Sequence, residues 1–384
     1  MSKNPVILVG GNHYNGLALV RAFARYQIEA YGIIIGEDAA DGFLKDSGCW
    51  TRTWFIKEDE ELIPCLKRIV PGFSKKPVVI AWSDGAAAEI DRHLDELKEI
   101  CILPSIDMEQ GRLFSAMDKE SQIGFAGSCD LKTARSFAVE LPAADLPSDI
   151  PFPCIGKPIV SCEGDKKDIR KLESEEELKE YLDFLSEKGY KRILLQEYLN
   201  IETEYDIQGY CHEDKSAFLV TQKVRVWPRV GGPTSYSFTI DEPQLNRIAE
   251  KIVGRLQEIR YSGLFDVDVF YAGGQFYFNE INWRSSALGY IAARAGLYYP
   301  VLWYCSVTGT VIEALQREQV VYGLYSMNEF KDIFHVFSGD LSLPEWTRQY
   351  RQCKGFAYKS AQDPKPARKK MSGAFLRKIR KLIP

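Results

Sequence analysis

The stretch Gly263-Leu-Phe-Asp266-Val-Asp268-Val-Phe-Tyr-Ala-Gly273-Gly274-Gln-Phe-Tyr-Phe-Asn-Glu280-Ile-Asn282-Trp-Arg284 decides how the rest of the chain is read. Two apolar-rich runs, 264–271 and 275–282, flank Gly273-Gly274 and spell a β-hairpin. On the second strand Glu280, Asn282 and Arg284 alternate with Ile281 and Trp283, which puts the three polar groups on one face. Carboxylate and amide oxygens are hard ligands suited to magnesium, and an Arg beside them can hold a phosphoryl group or an oxyanion. The plainer alternative is a strand whose polar face meets water. Asp266 and Asp268 on the partner strand add acid to the cluster if the register permits. With Gly273-Gly274 as a plain two-residue turn, Asp268 faces Asn279 and lies on the face opposite Glu280. A shared metal site therefore predicts a loop of three or five residues, or a bulge, with a glycine at positive φ.

Upstream, the pattern alternates strand and helix. Residues 5–9 form an apolar run, a Gly-rich turn follows, 16–26 have helical spacing, 30–35 and 78–82 read as buried strands, and 86–100 read as a helix. This predicts a doubly wound α/β domain with a parallel sheet over 1–107. Its turn, Gly10-Gly11-Asn12-His13-Tyr14-Asn15-Gly16, stands where such folds hold a phosphate or a carboxylate, but a tight structural turn accounts for it equally well. From about Met108 longer helices mix with hairpins, and 141–153, with four prolines, reads as an exposed connection. Residues 173–188 read as a charged, solvated helix. Segments 192–198, 205–211 and 217–226 read as strands of one antiparallel sheet, and 237–261 as a helix.

The acidic end of the hairpin, Glu280-Ile-Asn282-x-Arg284 preceded by Asp268, resembles the metal-binding end of ATP-grasp enzymes, among them D-alanine:D-alanine ligases, biotin carboxylases and carbamoyl phosphate synthetases. The rest of that family's pattern is found upstream in order. Met117-Asp118-Lys119 resembles its first lysine motif, Gly156-Lys157-Pro158 its second, and Gln196-Glu197-Tyr198-Leu199 the hinge that cups adenine. Glu204 matches the position that meets the ribose. The resemblance implies that Asp268, Glu280 and Asn282 hold Mg2+, with Mn2+ as an alternative, and that Arg284 steadies the transferred phosphoryl group. Where the family has a mobile glycine-rich phosphate loop, this chain has Ser161-Cys162-Glu163-Gly164-Asp165-Lys166-Lys167, so Gly164 and Lys166 become the candidate contacts. The basic segment from Gln222 to Ser235 is similar to the stretch that reaches the acceptor site in carboxylate–amine ligases of the D-aspartate ligase kind. That makes Lys223, Arg225 and Arg229 candidates for carboxylate or phosphate contacts.

The implied architecture is α/β and α+β: the doubly wound domain, then a two-subdomain ATP-grasp fold over 108–190 and 191–318, then an extension over 319–384. The implied activity is ATP-dependent coupling of a small carboxylate to an amine through an acyl phosphate. Activation of bicarbonate and a non-catalytic nucleotide-binding regulator are the rivals. The first is disfavoured because no biotin-attachment motif or glutamine-hydrolysing domain is recognisable. The second is disfavoured because every motif residue is in place.

Composition agrees with an enzyme. The chain has 384 residues, 45% of them hydrophobic, enough for two or three domains. No run of eighteen apolar residues and no secretory signal is recognisable, so the expected location is the cytoplasm. Nine cysteines are scattered without a CxxC pair and read as reduced, mostly buried thiols. The four histidines, His13, His93, His212 and His335, share no metal-ligand spacing, and no P-loop or nucleophile elbow occurs. A net charge of -4 hides a basic tail, in which Lys365, Arg368, Lys369, Lys370, Arg377, Lys378, Arg380 and Lys381 occur without an acid. With Phe375, Leu376, Ile379, Leu382 and Ile383 near one helical stripe, this tail is a candidate for peripheral contact with the inner face of a membrane. The other reading is a helix docked on its own domain. No nucleic-acid partner is expected, and a homodimer is compatible with the sequence.

Overall fold

The computed structural model describes residues 3–143, 146, 149–159, 168–229 and 231–380, with backbone only for 374–380. Three sheets organise it. The first is parallel, in the order Arg52–Ile56, Ala30–Ile35, Val6–Gly11, Val78–Ala81. Its strands are apolar throughout because both faces are covered. Val6, Leu8, Ile34 and Ile80 pack in one core with the helices Tyr14–Arg25 and Tyr299–Thr308, whereas Ile7, Val9, Ile33 and Val79 pack in another with Leu62–Ile69 and Asp84–Arg92. The Gly-rich turn is structural at Gly10: φ is +152°, and a β-carbon there would stand 2.6 Å from the Trp82 indole nitrogen. His13 caps the following helix, accepting from Asn15 N at 3.3 Å.

The second sheet is antiparallel, in the order Ser136–Glu140, Arg192–Glu197, Cys154–Pro158, Arg170–Leu172. Arg192–Glu197 thus belongs here and not with the two strands that follow it, which corrects the expectation of one common sheet. Its run Ile193-Leu194-Leu195 is fully buried. The helix Glu175–Glu187 packs against this sheet, capped by Ser174 and with three glutamates in its first turn. It is more than a solvated face, since Leu178, Tyr181, Leu182 and Leu185 form a buried stripe.

The third sheet runs Gln275–Asn282, Tyr261–Ala272, Thr203–His212, Lys215–Val226, Thr234–Ile240, Tyr325–Met327, Gly355–Phe356, with Ser105–Ile106 paired to the start of Tyr261–Ala272. Residues 237–240, expected to be helical, close a strand. The helix is Pro243–Glu258, started by Glu242 as its cap and Pro243 at its first turn. Residues beyond 319 continue the same sheet through Tyr325–Met327 and Gly355–Phe356. The eight cysteines described are free, and six are buried. No described helix is long and apolar enough to cross a membrane.

Gly273 and Gly274 form a two-residue turn with φ of 53° and 77°, and Ala272 faces Gln275. The parity conflict is resolved by a bulge. Val269 pairs with Phe278 but Asp268 pairs with Glu280, so Asn279 is the extra residue that turns Glu280 to the face of Asp268.

Candidate active site

One face of the third sheet is polar. Asp268 stands opposite Glu280 and Asp266 opposite Asn282, while on the other side Asp206 faces Asp268 and Glu204 faces Lys223. The opposite face carries Ile207, Val267, Val269 and Ile281 into the core, so burial of that side fixes the register of the polar one.

Against this face come two lysines from far away in sequence. Asp118 caps the helix Lys119–Ser128 through the amides of Glu120 and Ser121, which aims Lys119 from the first turn. Lys119 Nζ lies 3.3 Å from Glu280 Oε2. Lys157, on Cys154–Pro158, donates to Gln196 Oε1 at 2.7 Å. Burial together with the charge of Lys119 pushes the Lys157 ammonium down to about 7, against the pull of Glu280. Burial alone would raise Glu280, but Lys119 and Lys157 hold its carboxyl at about 2. Asp268 moves the other way, to about 6, through burial and the neighbouring Asp266 and Glu280, despite Lys223. Lys223 is hydrogen-bonded to Asp268 Oδ1 and lies 3.9 Å from a Glu204 oxygen.

Arg284 joins this cluster to the helix that follows the last strand of the parallel sheet. Its Nε donates to Asp84 Oδ1 at 2.8 Å, its Nη1 to Asp266 Oδ2 at 3.2 Å and to Ser285 O at 3.1 Å, and its Nη2 to Asn282 Oδ1 at 3.1 Å. Asp84 opens the helix after the strand Val78–Ala81, at the carboxyl end of the parallel sheet. Sequence reading passed over Asp84 and Asp206. The signals were there: an acid at the strand-to-helix turn, and the alternation Glu204-Tyr-Asp206-Ile-Gln208.

Other candidates are placed differently. The hinge residue Glu197 accepts from Arg135 N at 3.2 Å, Tyr198 is exposed with Lys171 Nζ 4.1 Å from its ring centroid, and Leu199 follows it, half-buried. Gln196 sits between Lys157 and Ser136 Oγ, to which its Nε2 donates at 2.9 Å. Arg225 forms a two-pronged pair with the buried Asp332, at 3.0 and 2.8 Å, and so ties its strand to the C-terminal segment. Arg229 is exposed and pairs with Asp340. Gly164 and Lys166 lie outside the described residues. Among the described residues no three His, Cys, Asp or Glu converge at metal-ligating distance. The expected donor set has two acids and an amide, all oxygen; Lys223 pairs with Asp268 and Lys119 with Glu280.

No model of a known protein family matches the chain. The chain is 28% identical over 303 residues to the D-aspartate ligase of Enterococcus faecium, covering 73% of this chain and 68% of that protein. In structure it is similar to the L-amino acid ligase from Bacillus licheniformis (TM-score 0.63, 12% identity, 84% and 79% of the two chains). It is also similar to the biotin carboxylase domain of 2-oxoglutarate carboxylase from Hydrogenobacter thermophilus, solved with MgADP and bicarbonate (TM-score 0.65, 14% identity, 85% and 74%). The fold is the ATP-grasp fold.

Proposed function

We propose, from the ATP-grasp fold, that the chain is an ADP-forming carboxylate–amine ligase. The observation that carries this reading is the convergence of Lys119 and Lys157 on Asp268, Glu280, Asn282 and Arg284 of a hairpin more than a hundred residues downstream. Lys119 and Lys157 neutralise the triphosphate, the segment from Gln196 to Leu199 receives adenine and Glu204 the ribose. Asp268, Glu280 and Asn282 would hold Mg2+, or Mn2+, which when bound supplies charge neutralisation at the phosphates. Arg284 stabilises the phosphoryl group in flight, and Lys223 stands ready for an anionic substrate. A carboxylate oxygen attacks the γ-phosphorus in line and ADP leaves; an amine then attacks the acyl carbon, and inorganic phosphate departs with the attacking oxygen. The residues position and neutralise, with no covalent enzyme intermediate required.

The test is ADP release by the full chain with Mg2+ on a panel of small acids and amines, bicarbonate included. Release requiring both an acid and an amine is expected, with Glu280→Gln and Asn282→Ala inactive but folded. Release with bicarbonate and no other acid would select the carboxylation reading, and near-normal release by either variant would remove the metal assignment.

The enzyme's proposed location is the cytoplasm, with its tail touching an anionic membrane face. The helix Lys365–Arg380 begins docked: Lys370 Nζ lies 5.0 Å from the Phe43 ring centroid. The terminal side chains that would meet lipid lie outside the described residues. Truncation before Asp363 is a poor test, because Asp363 accepts from Arg21 Nε at 2.9 Å and Ser47 Oγ at 2.8 Å. Replacing Arg377, Lys378, Arg380 and Lys381 by Gln is cleaner, at roughly 1 kcal/mol per cation near anionic lipid. Loss of co-sedimentation with anionic liposomes is expected, and equal pelleting of both forms would refute the contact.

A further inference from the structure

The loop that follows the strand Lys215–Val226 is gripped by the C-terminal segment, and His335 is at the centre of the grip. The ring is 5% exposed. Its Nε2 lies 3.1 Å from Val226 O and its Nδ1 lies 3.1 Å from Asp340 Oδ2. The Trp227 indole packs against the imidazole nearly at right angles, with centroids 4.9 Å apart, and stacks on Phe334 at 5.6 Å. Arg229 is hydrogen-bonded to Asp340 from the loop's far end. Local bonds bring Asp340 back to the ring: its N and that of Leu341 donate to His335 O at 2.9 and 3.1 Å, and Ser338 Oγ donates to Asp340 Oδ2 at 2.8 Å.

Both partners of the imidazole are acceptors. A backbone carbonyl has no proton to give, so Nε2 donates to Val226 O. Partial desolvation alone would raise the Asp340 carboxyl, but bonds from Ser338, His335 and Arg229 hold it below its usual range, so it accepts as well. A neutral imidazole has one N–H and satisfies one of the two, whereas the imidazolium satisfies both. The other charged groups around the ring are engaged: Arg229 with Asp340, and Arg225 with Asp332 at 3.0 and 2.8 Å.

We propose that the His335 imidazolium is a positioning residue for the amine: charged, it fixes Val226 to Arg229, and on losing a proton it releases them, so that engagement of the amine weakens as pH rises. The proposal rests on the ligase reading, in which the segment from Gln222 to Ser235 reaches the site of the amine. The loop begins three residues beyond Lys223 on the same strand, so its position is felt at the polar sheet face. A neutral ring protonated on Nε2 turns a lone pair on the Asp340 carboxylate; protonated on Nδ1, it turns one on Val226 O. Either way two acceptors oppose each other in a buried place and one hydrogen bond is lost. The gripped loop thus holds one proton more than the released loop with a neutral ring, so low pH favours the grip and rising pH undoes it.

The test is nuclear magnetic resonance of the full chain with nitrogen-15 in its histidine rings and tryptophan indoles, between about pH 5 and 8. The His335 signals are identified by their loss in His335→Gln and the Trp227 indole by its loss in Trp227→Phe. At the acid end both His335 nitrogens are expected to carry protons, and the Trp227 indole is expected to move as His335 titrates. In Asp340→Asn, on an exposed turn, an amide can donate to Nδ1, so the neutral ring keeps both bonds and the Trp227 signal is expected to stay in place at every pH. In steady state with saturating ATP and acid, KM for the amine is expected to rise with pH relative to Asp340→Asn by roughly fivefold or more, the worth of one hydrogen bond, with kcat changing far less. Lys157 and the amine titrate alike in the two proteins and cancel in that ratio. A His335 ring neutral throughout, a Trp227 signal that moves equally in Asp340→Asn, or a KM ratio flat with pH overturns the proposal. The resonance measurements need no substrate and ADP release reports on the ligase reading, so either can fail alone.

Discussion

At the scale of the residue, Lys157 carries the sharpest consequence. Its ammonium is pushed down to about 7 by burial and by Lys119, so in the nucleotide-free protein it loses its charge as pH rises through that value. A triphosphate favours the charged form and raises its pKa. Above about 7 the bound state then holds more protons than the free state, and affinity falls as pH rises. Near pH 8 we expect nucleotide binding to take up close to one proton, read as a heat of binding that depends on the buffer's ionisation enthalpy. Lys157→Met should lose that uptake together with roughly tenfold or more of the affinity, about 1.4 kcal/mol. Affinity flat with pH, and no uptake, would place Lys157 away from the phosphates.

At the scale of the element, the hairpin turns on Asn279. It is the extra residue of the bulge: paired regularly it would itself face Asp268, aim Glu280 at the core face and bring Ile281 to the polar one. Deleting Asn279 leaves Glu280 directly after Phe278 and still opposite Asp268, so the deletion and Asn279→Ala should both retain most of the acid- and amine-dependent ADP release. Loss of release in a folded deletion variant would contradict the shared site of Asp268 and Glu280. Here the sequence was readable, because a single metal site and a Gly-Gly turn are incompatible without a bulge. The strand Arg192–Glu197 was readable as a strand but not as a member of its sheet, since its neighbours Ser136–Glu140 and Cys154–Pro158 are set by long-range pairing that leaves no local mark. The span 237–261 misled because the strand's polar residues are its more buried ones: Ser237 and Thr239 are buried, Ser237 Oγ on Ser326 Oγ at 2.7 Å, while Phe238 and Ile240 are half-buried. Gly156 was legible as part of a lysine motif; what requires it is packing, since a β-carbon there would meet the Tyr181 ring at 2.2 Å.

At the scale of the whole molecule, the site is assembled from every part of the chain. Asp84 comes from the helix after the parallel sheet, Lys119 and Lys157 from the middle of the chain, Asp268, Glu280 and Arg284 from the large sheet, and Asp332, beyond 319, anchors Arg225. Motif order made the middle and the hairpin legible. The contribution of Asp84, two hundred residues from its partner Arg284, was set by how the parallel sheet meets the large one and could not be read locally. We propose that these groups serve an acyl phosphate. The direct measurement starts from an acid and amine pair that supports ADP release, with heavy oxygen in both positions of the acid's carboxylate. One labelled oxygen is expected in the inorganic phosphate for each amide formed. Label confined to the amide and unreacted acid, or found in a nucleotide monophosphate released with pyrophosphate, would contradict it.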